Sequence, residues 1–312
     1  LNAMIEEKQG RMAMILAMII SGTIGFFVIS SEQNPFNVVF FRCVIGGGGL
    51  ILYCLCKGFY RPLHITRRQW VFLLLGALSL IFNWVFLFSA YKLTSIGLTT
   101  IIYHLQPFFL LFSSMIFMNE KVGRSNLIWL ILAFVGLVII VLPEDATVDR
   151  QFYIGCLSAL VAAVLYAVTT LLTRKISNEL RPEVIASSHM VIGALIFLFI
   201  ADFTVLPTTQ AHWGALITLG LFHTTFMYLL LYTAFKKAST TSLAVFSFFY
   251  PLVALIVDYF AFEHLISISQ GLGAVLILTS GLAYNYGFVI PALEKRADEV
   301  TQVNPKVKDD KA

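Results

Sequence analysis

The chain has 312 residues and a formal charge of +4, with 59% hydrophobic and 12% charged residues and a mean hydropathy of +0.86. A soluble domain carries about a quarter charged residues, so this composition excludes an ordinary water-soluble fold. The basic residues are spread among short connections and form no patch, which argues against a nucleic-acid partner.

Apolar runs of about 20 residues, enough for a helix to cross a hydrocarbon core of about 30 Å, recur along the chain. In order they predict spans at 12–30, 36–56, 70–91, 95–118, 125–142, 152–173, 183–201, 213–234, 239–262 and 268–288. The runs are about twice the length of barrel strands, and backbone amides in lipid must be satisfied within their own segment, so the spans are expected to be α-helices. The fold class is therefore all-α integral membrane with ten transmembrane helices. The first run follows Lys8 and Arg11 and lacks a small-residue cleavage pattern, so it reads as a retained helix after a cytoplasmic N-terminus at 1–11. The tail at 294–312 is polar, charged and nearly free of aromatics, which predicts disorder. Cys43, Cys54 and Cys56 share one run and Cys156 lies on another, with no metal-binding spacing, so neither a metal nor a cofactor is expected.

Orientation follows from Lys and Arg. With the N-terminus inside, 18 of the 21 fall in cytoplasmic segments, Lys92 and Arg150 lie outside, and Arg42 lies within a span. This positive-inside bias places both termini in the cytoplasm of a bacterial-type inner membrane.

The chain also repeats. An offset of 144 matches Ala90-Tyr91-Lys92 with Ala234-Phe235-Lys236, Ser95 with Ser239, and Pro107 with Pro251. An offset of 147 matches Pro35 with Pro182 and Val44-Ile45-Gly46 with Val191-Ile192-Gly193. Glycines, prolines and charges in register predict two five-helix halves, at 12–142 and 152–288. Five is odd, so the second half enters the membrane from the opposite side. Such inverted repeats place a site near the midplane at their interface.

The segment from Ala90 to Glu120, with Tyr91-Lys92 and Ser95 ahead of Pro107 and then Asn119-Glu120-Lys121, resembles the fourth-helix signature of the EamA-like branch of the drug/metabolite transporter superfamily. A second copy runs from Ala234 through Pro251 to Glu263, followed by Gln270-Gly271-Leu272-Gly273-Ala274 and Gly281. Phe41-Arg42 after Asn34-Pro35 is similar to that family's second helix. The resemblance implies ten helices and, commonly, export of amino acids or related metabolites. The first span offers Ser21 and Thr23 but no carboxylate, unlike the small multidrug resistance relatives of the same superfamily.

Several residues are candidates for transport. Pro107 and Pro251 lie mid-span, where the missing N–H and the ring clash favour a kink, either fixed for packing or flexing along the pathway. One turn earlier stand Tyr103 and His104, matched by Ser247 and Phe248. A histidine inside a membrane is a functional candidate, with a neutral packing role as the alternative. Trp84 and Phe88, one turn apart, match Tyr228 and Tyr232, and Ser79 and Asn83 form a polar stripe beside them, matched by His223 and Met227. Tyr166, with Thr169 and Thr170, adds a weaker polar face. Facing inward, these groups suit an amphiphilic metabolite; facing outward they are lipid contacts or core. Arg42 could bind a carboxylate, snorkel outward or pair with Glu32, and Asp258 lies near the outer boundary. Protons are a candidate coupling ion, and would need His104, His223 or Asp258.

The sequence thus predicts a transporter that exports amino acids or similar amphiphiles, or alternatively a broad-specificity efflux pump. Its partners are a small-molecule substrate and the bilayer, and oligomeric state stays open. HExxH, GxSxG and nucleotide-binding loops are absent, which argues against an enzyme.

Overall fold

A computed structural model describes residues 2–61, 64–93, 99, 102–120, 122–141, 150–262 and 267–288. All regular structure among the described residues is helical. Six helical segments are long and apolar enough to cross a membrane, and three shorter apolar helices accompany them. The chain is therefore a multi-pass membrane protein. Leu52, Phe112, Leu157, Leu195 and Phe260 are among the large apolar side chains left exposed, a surface that lipid solvates and water does not.

Among the described residues, five of the predicted spans are interrupted. The first is α1 (Asn2–Ser21) and α2 (Ile24–Ser30), broken at Gly22-Thr23, where the Thr23 hydroxyl donates to the Ile20 carbonyl at 2.8 Å. The second starts at Pro35, the first helical residue, behind an Asn34 side chain that caps the Asn37 N–H. It runs as α3 (Pro35–Phe41), one π-helical stretch (Arg42–Gly46) and α4 (Gly47–Cys56). After α5 (Arg67–Leu93) comes α6 (Gln106–Phe117), α7 (Arg124–Val141), α8 (Arg150–Ile176) and α9 (Pro182–Phe197). A second π-helical stretch (Leu221–Phe226) joins α10 (Gln210–Gly220) to α11 (Met227–Lys237). The chain then turns at Ser239, whose hydroxyl caps α12 (Thr240–Phe246), and continues as α13 (Phe249–Phe262) and α14 (Ile268–Asn285).

At Pro107 and Pro251 the prolines do more than kink a helix. Turns at His104-Leu105 and Ser247-Phe248 stop the preceding helix, and each proline sits in the first turn of the next one. That is the position where a missing N–H costs no intrahelical bond.

The helices pair across the two halves of the sequence. Helix α1 packs on α11, α8 on α5, α7 on α14, and α6 lies between α8 and α12. At the crossing of the two π-helical stretches the backbones nearly touch. A Cβ at Gly46 would lie 2.4 Å from Thr224 Cγ2, and one at Gly220 would lie 2.5 Å from Ile45, so both positions require glycine. The Thr225 hydroxyl donates to the Gly46 carbonyl at 3.0 Å across this crossing.

One end of the bundle is tied by polar bonds. The Glu7 carboxylate accepts from the Ser239 N–H at 2.8 Å, from the Ser242 hydroxyl at 2.6 Å and from Arg11 Nε at 3.0 Å. The Arg11 guanidinium lies 5.3 Å from the Tyr284 ring centre. Beside it, Arg174 donates to the Ala238 carbonyl at 2.7 Å and pairs with Glu120 at 2.8 Å. Glu120 thus ties α8 to the end of α6. Glu263, its counterpart, lies outside the described residues, as do Ser95 and the side chains of Phe88 and Asp258.

Candidate aromatic pathway and cavity

A run of aromatic side chains crosses the interior. Trp84 on α5 meets Tyr228 on α11 edge to face, with centres 6.2 Å apart. Tyr228, Tyr232 and Phe235 follow one another along α11 at 5.5 Å and 5.4 Å. Their spacing of four and then three residues keeps all three on one helix face. Phe235 meets Tyr166 of α8 at 6.5 Å, and Tyr166 meets Tyr103 at 6.1 Å. Next to Tyr103, His104 stacks on Tyr250 and tilts against Phe248, both at 5.6 Å. Trp84 on α5 and Tyr228 and Tyr232 on α11 therefore face inward, and Trp84 touches Tyr228.

A narrow cavity, too small in this conformation for more than about one water, opens beside this run. Gln106, Tyr166, Thr170 and Ser247 supply its polar edge, and Met14, Pro107, Leu110, Phe235, Leu243 and Ala244 the apolar wall. None of these residues is charged. Gln106 is 6% exposed, and its Oε1 has no hydrogen-bond partner among the described residues. A buried amide oxygen without a donor costs about 1–3 kcal/mol, so Gln106 is a polar group that a water or a ligand entering the cavity would satisfy. Sequence reasoning passed over Gln106. Its signal was an amide directly before Pro107, inside an apolar run.

Of the predicted site residues, Tyr166, Ser247 and Pro107 line the cavity. Ser247 also donates to the Ala244 carbonyl at 2.7 Å, closing the turn that ends α12. Trp84, Tyr228, Tyr103 and His104 belong to the aromatic run and reach the cavity through Phe235 and Tyr166. Asn83, fully buried, donates to the Ala162 carbonyl at 2.6 Å and lies 3.2 Å from the Tyr103 hydroxyl. It joins α5 to α8 and positions Tyr103. His223 is placed elsewhere: its Nε2 lies 2.7 Å from the Thr23 hydroxyl and its Nδ1 3.3 Å from the Thr218 carbonyl. It braces the break in the first span. Pro251 lies on α13, one residue past the Tyr250 that stacks on His104.

Arg42 neither snorkels nor pairs with Glu32. Its side chain turns inward, 2% exposed, with the guanidinium 4.7 Å from the Trp84 ring centre and Nε donating to Thr224 Oγ1 at 3.2 Å. Glu32 instead faces His212 at 3.5 Å. The 147-residue offset puts His189 at the equivalent position in the second half, and there its Nδ1 lies 2.6 Å from the Tyr232 hydroxyl.

Known proteins agree with this architecture. The EamA-like transporter family matches twice, over residues 8–142 and 153–285. The uncharacterized transporter YxxF of Bacillus subtilis is 31% identical over 89% of this chain and 91% of its own length. A WAT1-related chloroplastic protein of Arabidopsis thaliana is 27% identical over 81% of this chain and 63% of its own length. A solved crystal structure superimposes with a TM-score of 0.78 at 19% identity, covering 87% of this chain and 96% of that one, which shows the same fold. Two family matches that together span the bundle, on a chain of long apolar helices, establish that it belongs to the EamA-like transporter family of the drug/metabolite transporter superfamily.

Proposed function

We propose that the chain is a secondary transporter that exports amino acids or similar small amphiphilic metabolites by alternating access. Its ten helices form two inverted five-helix repeats, at 12–142 and 152–288, with both termini in the cytoplasm of a bacterial-type inner membrane. The observation that carries the reading is a pair of contacts between equivalent residues. Trp84 and Tyr228 are 144 apart in sequence, as are His104 and Phe248, and both pairs touch. Equivalent residues meet only where a two-fold axis passes between them. For inverted repeats that axis lies in the plane of the membrane, at the depth where such transporters bind substrate. The reciprocal pairing of α1 with α11 and of α8 with α5 supports the same symmetry, because each half gives its first span to the third span of the other.

The cavity beside this axis offers aromatic and aliphatic walls with a neutral polar edge, which suits a small amphiphile. The polar ties around Glu7 and Arg174 would close the cytoplasmic end in this conformation, and rocking of one repeat against the other would break them. The test is counterflow of labelled amino acids into proteoliposomes holding the purified full chain. Saturable, competed uptake is expected; no saturable flux of any amino acid would sink the assignment. The absence of charge on the cavity lining favours broad-specificity efflux as the second reading. Unrelated aromatic dyes competing as strongly as amino acids would select it.

A further inference from the structure

Among the described residues, no carboxylate answers the charge of Arg42. Its guanidinium has five N–H donors, and among the described residues the hydrogen bond it makes is the one from Nε to Thr224. The Thr224 hydroxyl donates to the Leu219 carbonyl at 2.8 Å, so it is oriented to accept from Arg42. Glu7, Glu120, Glu179 and Glu32 are committed to Arg11, Arg174, Arg68 and His212, and none of them lies within ion-pair distance of Arg42. A cation held inside a membrane protein ordinarily pairs with an anion, because burial without one is costly.

The surroundings define what would pair with it. Arg42 lies over Trp84, and Trp84 touches its own repeat equivalent, so the charge stands at the interface of the two halves. It sits on one π-helical stretch and is bonded to a residue of the other, the kind of irregularity that recurs at functional sites. At the equivalent position in the second half, His189 is answered by the Tyr232 hydroxyl. Among the described residues, then, the open cation stands at Arg42 and not at its counterpart. A single guanidinium edge matches a planar monoanion, and a dianionic phosphate would leave negative charge in excess.

Building on the transport reading above, we infer that Arg42, which stands outside the cavity lining at the other end of the aromatic run, binds the carboxylate of the transported molecule during its passage, with Trp84 and Thr224 fixing the guanidinium plane. Arg42 is thus a specificity residue: it selects acids over otherwise identical neutral or cationic molecules. Burial between the halves keeps a lipid headgroup from reaching it, so the anion arrives with the substrate.

The experiment uses counterflow of a mixture of labelled proteinogenic amino acids in proteoliposomes of the full chain. Competitors are the unlabelled amino acids and the corresponding C-terminal amides, which keep the side chain and amine and lose the carboxylate. In the wild type, acids should compete better than amides by roughly tenfold or more. Arg42→Gln should bring the two within about twofold of each other, and Arg42→Lys should keep part of the preference without the planar fork. Amides competing as well as acids in the wild type would overturn the proposal while leaving transport intact, and that comparison needs no folded variant. An Arg42→Gln protein that keeps the wild-type preference would overturn it as well. Uptake that requires chloride and ignores the difference between acid and amide would assign the site to an inorganic anion instead. Absence of any flux in the wild type would remove the transport reading itself, a different failure.

Discussion

Trp84 and Tyr228, 144 residues apart and on helices of different halves, meet edge to face with ring centres 6.2 Å apart. The same indole supports the Arg42 guanidinium at 4.7 Å. A desolvated cation–π contact is worth about 2 kcal/mol and an aromatic pair about 1 more. Trp84→Ala removes both, and initial flux should fall at least about tenfold. Trp84→Phe keeps a ring face under the cation and should stay within about threefold. Initial rates in proteoliposomes check this, with melting in detergent recorded beside them. Unchanged flux in Trp84→Ala would show that the aromatic run is only core.

The crossing of the two π-helical stretches makes a sharper structural demand. A Cβ at Gly46 meets Thr224 Cγ2 at 2.4 Å and the Gly220 carbonyl at 2.8 Å, and backbone cannot yield as a side chain does. Gly46→Ala should destabilise the protein by about 1–3 kcal/mol through overpacking. Gly48→Ala is the control on the same segment, because nothing lies within 4 Å of that position, and it should melt like the wild type. Equal melting temperatures for the two variants would contradict the crossing geometry.

Much of this architecture was legible because lipid imposes long apolar runs. The positions of α5, α8 and α11 followed from length and hydropathy, and a shared offset paired Trp84 with Tyr228, but the direction these rings face was open on sequence and is set by packing. The interruptions were less legible. A π-helical stretch shifts the backbone bonds without changing composition, so neither Arg42–Gly46 nor Leu221–Phe226 leaves a periodic signature. Pro107 signalled a disturbance, but whether the helix bends or stops depends on tertiary partners, here the stack of His104 on Tyr250. Arg42 shows the same limit. Snorkelling, pairing with Glu32 and pointing inward are equal on sequence, and only the packing of Thr224 against Gly46 decides between them.

The polar ties at one end of the bundle lead to a prediction about opening. Glu7 holds the N-terminus of α12 through the Ser239 N–H and the Ser242 hydroxyl. Glu7→Gln keeps the shape and removes the charge, weakening these charge-assisted bonds by about 1.5 kcal/mol. The open fraction should rise roughly tenfold if those bonds act only in the closed state. A cysteine in place of Leu243, on the cavity wall in a protein otherwise free of cysteine, reports the change through its labelling rate with a membrane-impermeant maleimide. Labelling equally fast with Glu7 and with Gln at this position would remove the ties from the gating cycle.

Asn83 and Gln106 provide the clearest separation of structure from function, because they are buried amides in opposite circumstances. The Asn83 amide is spent internally, on the Ala162 carbonyl at 2.6 Å and on Tyr103. Asn83→Ala removes a buried hydrogen bond between α5 and α8 and opens a void, so it should lower stability by about 1–3 kcal/mol. Its effect on flux should follow the loss of folded protein, with no change in which substrates compete. The Gln106 oxygen has no internal partner among the described residues, so Gln106→Leu removes a group that the folded state already holds at a cost. That variant should melt at or above the wild-type temperature and yet lose flux several-fold, because the lost group serves the ligand and not the fold. Melting curves and counterflow rates measured on both variants decide the matter. If Gln106→Leu were less stable than the wild type and transported normally, the cavity would be a packing defect, and the polar edge assigned to the substrate would have to be sought elsewhere along the aromatic run.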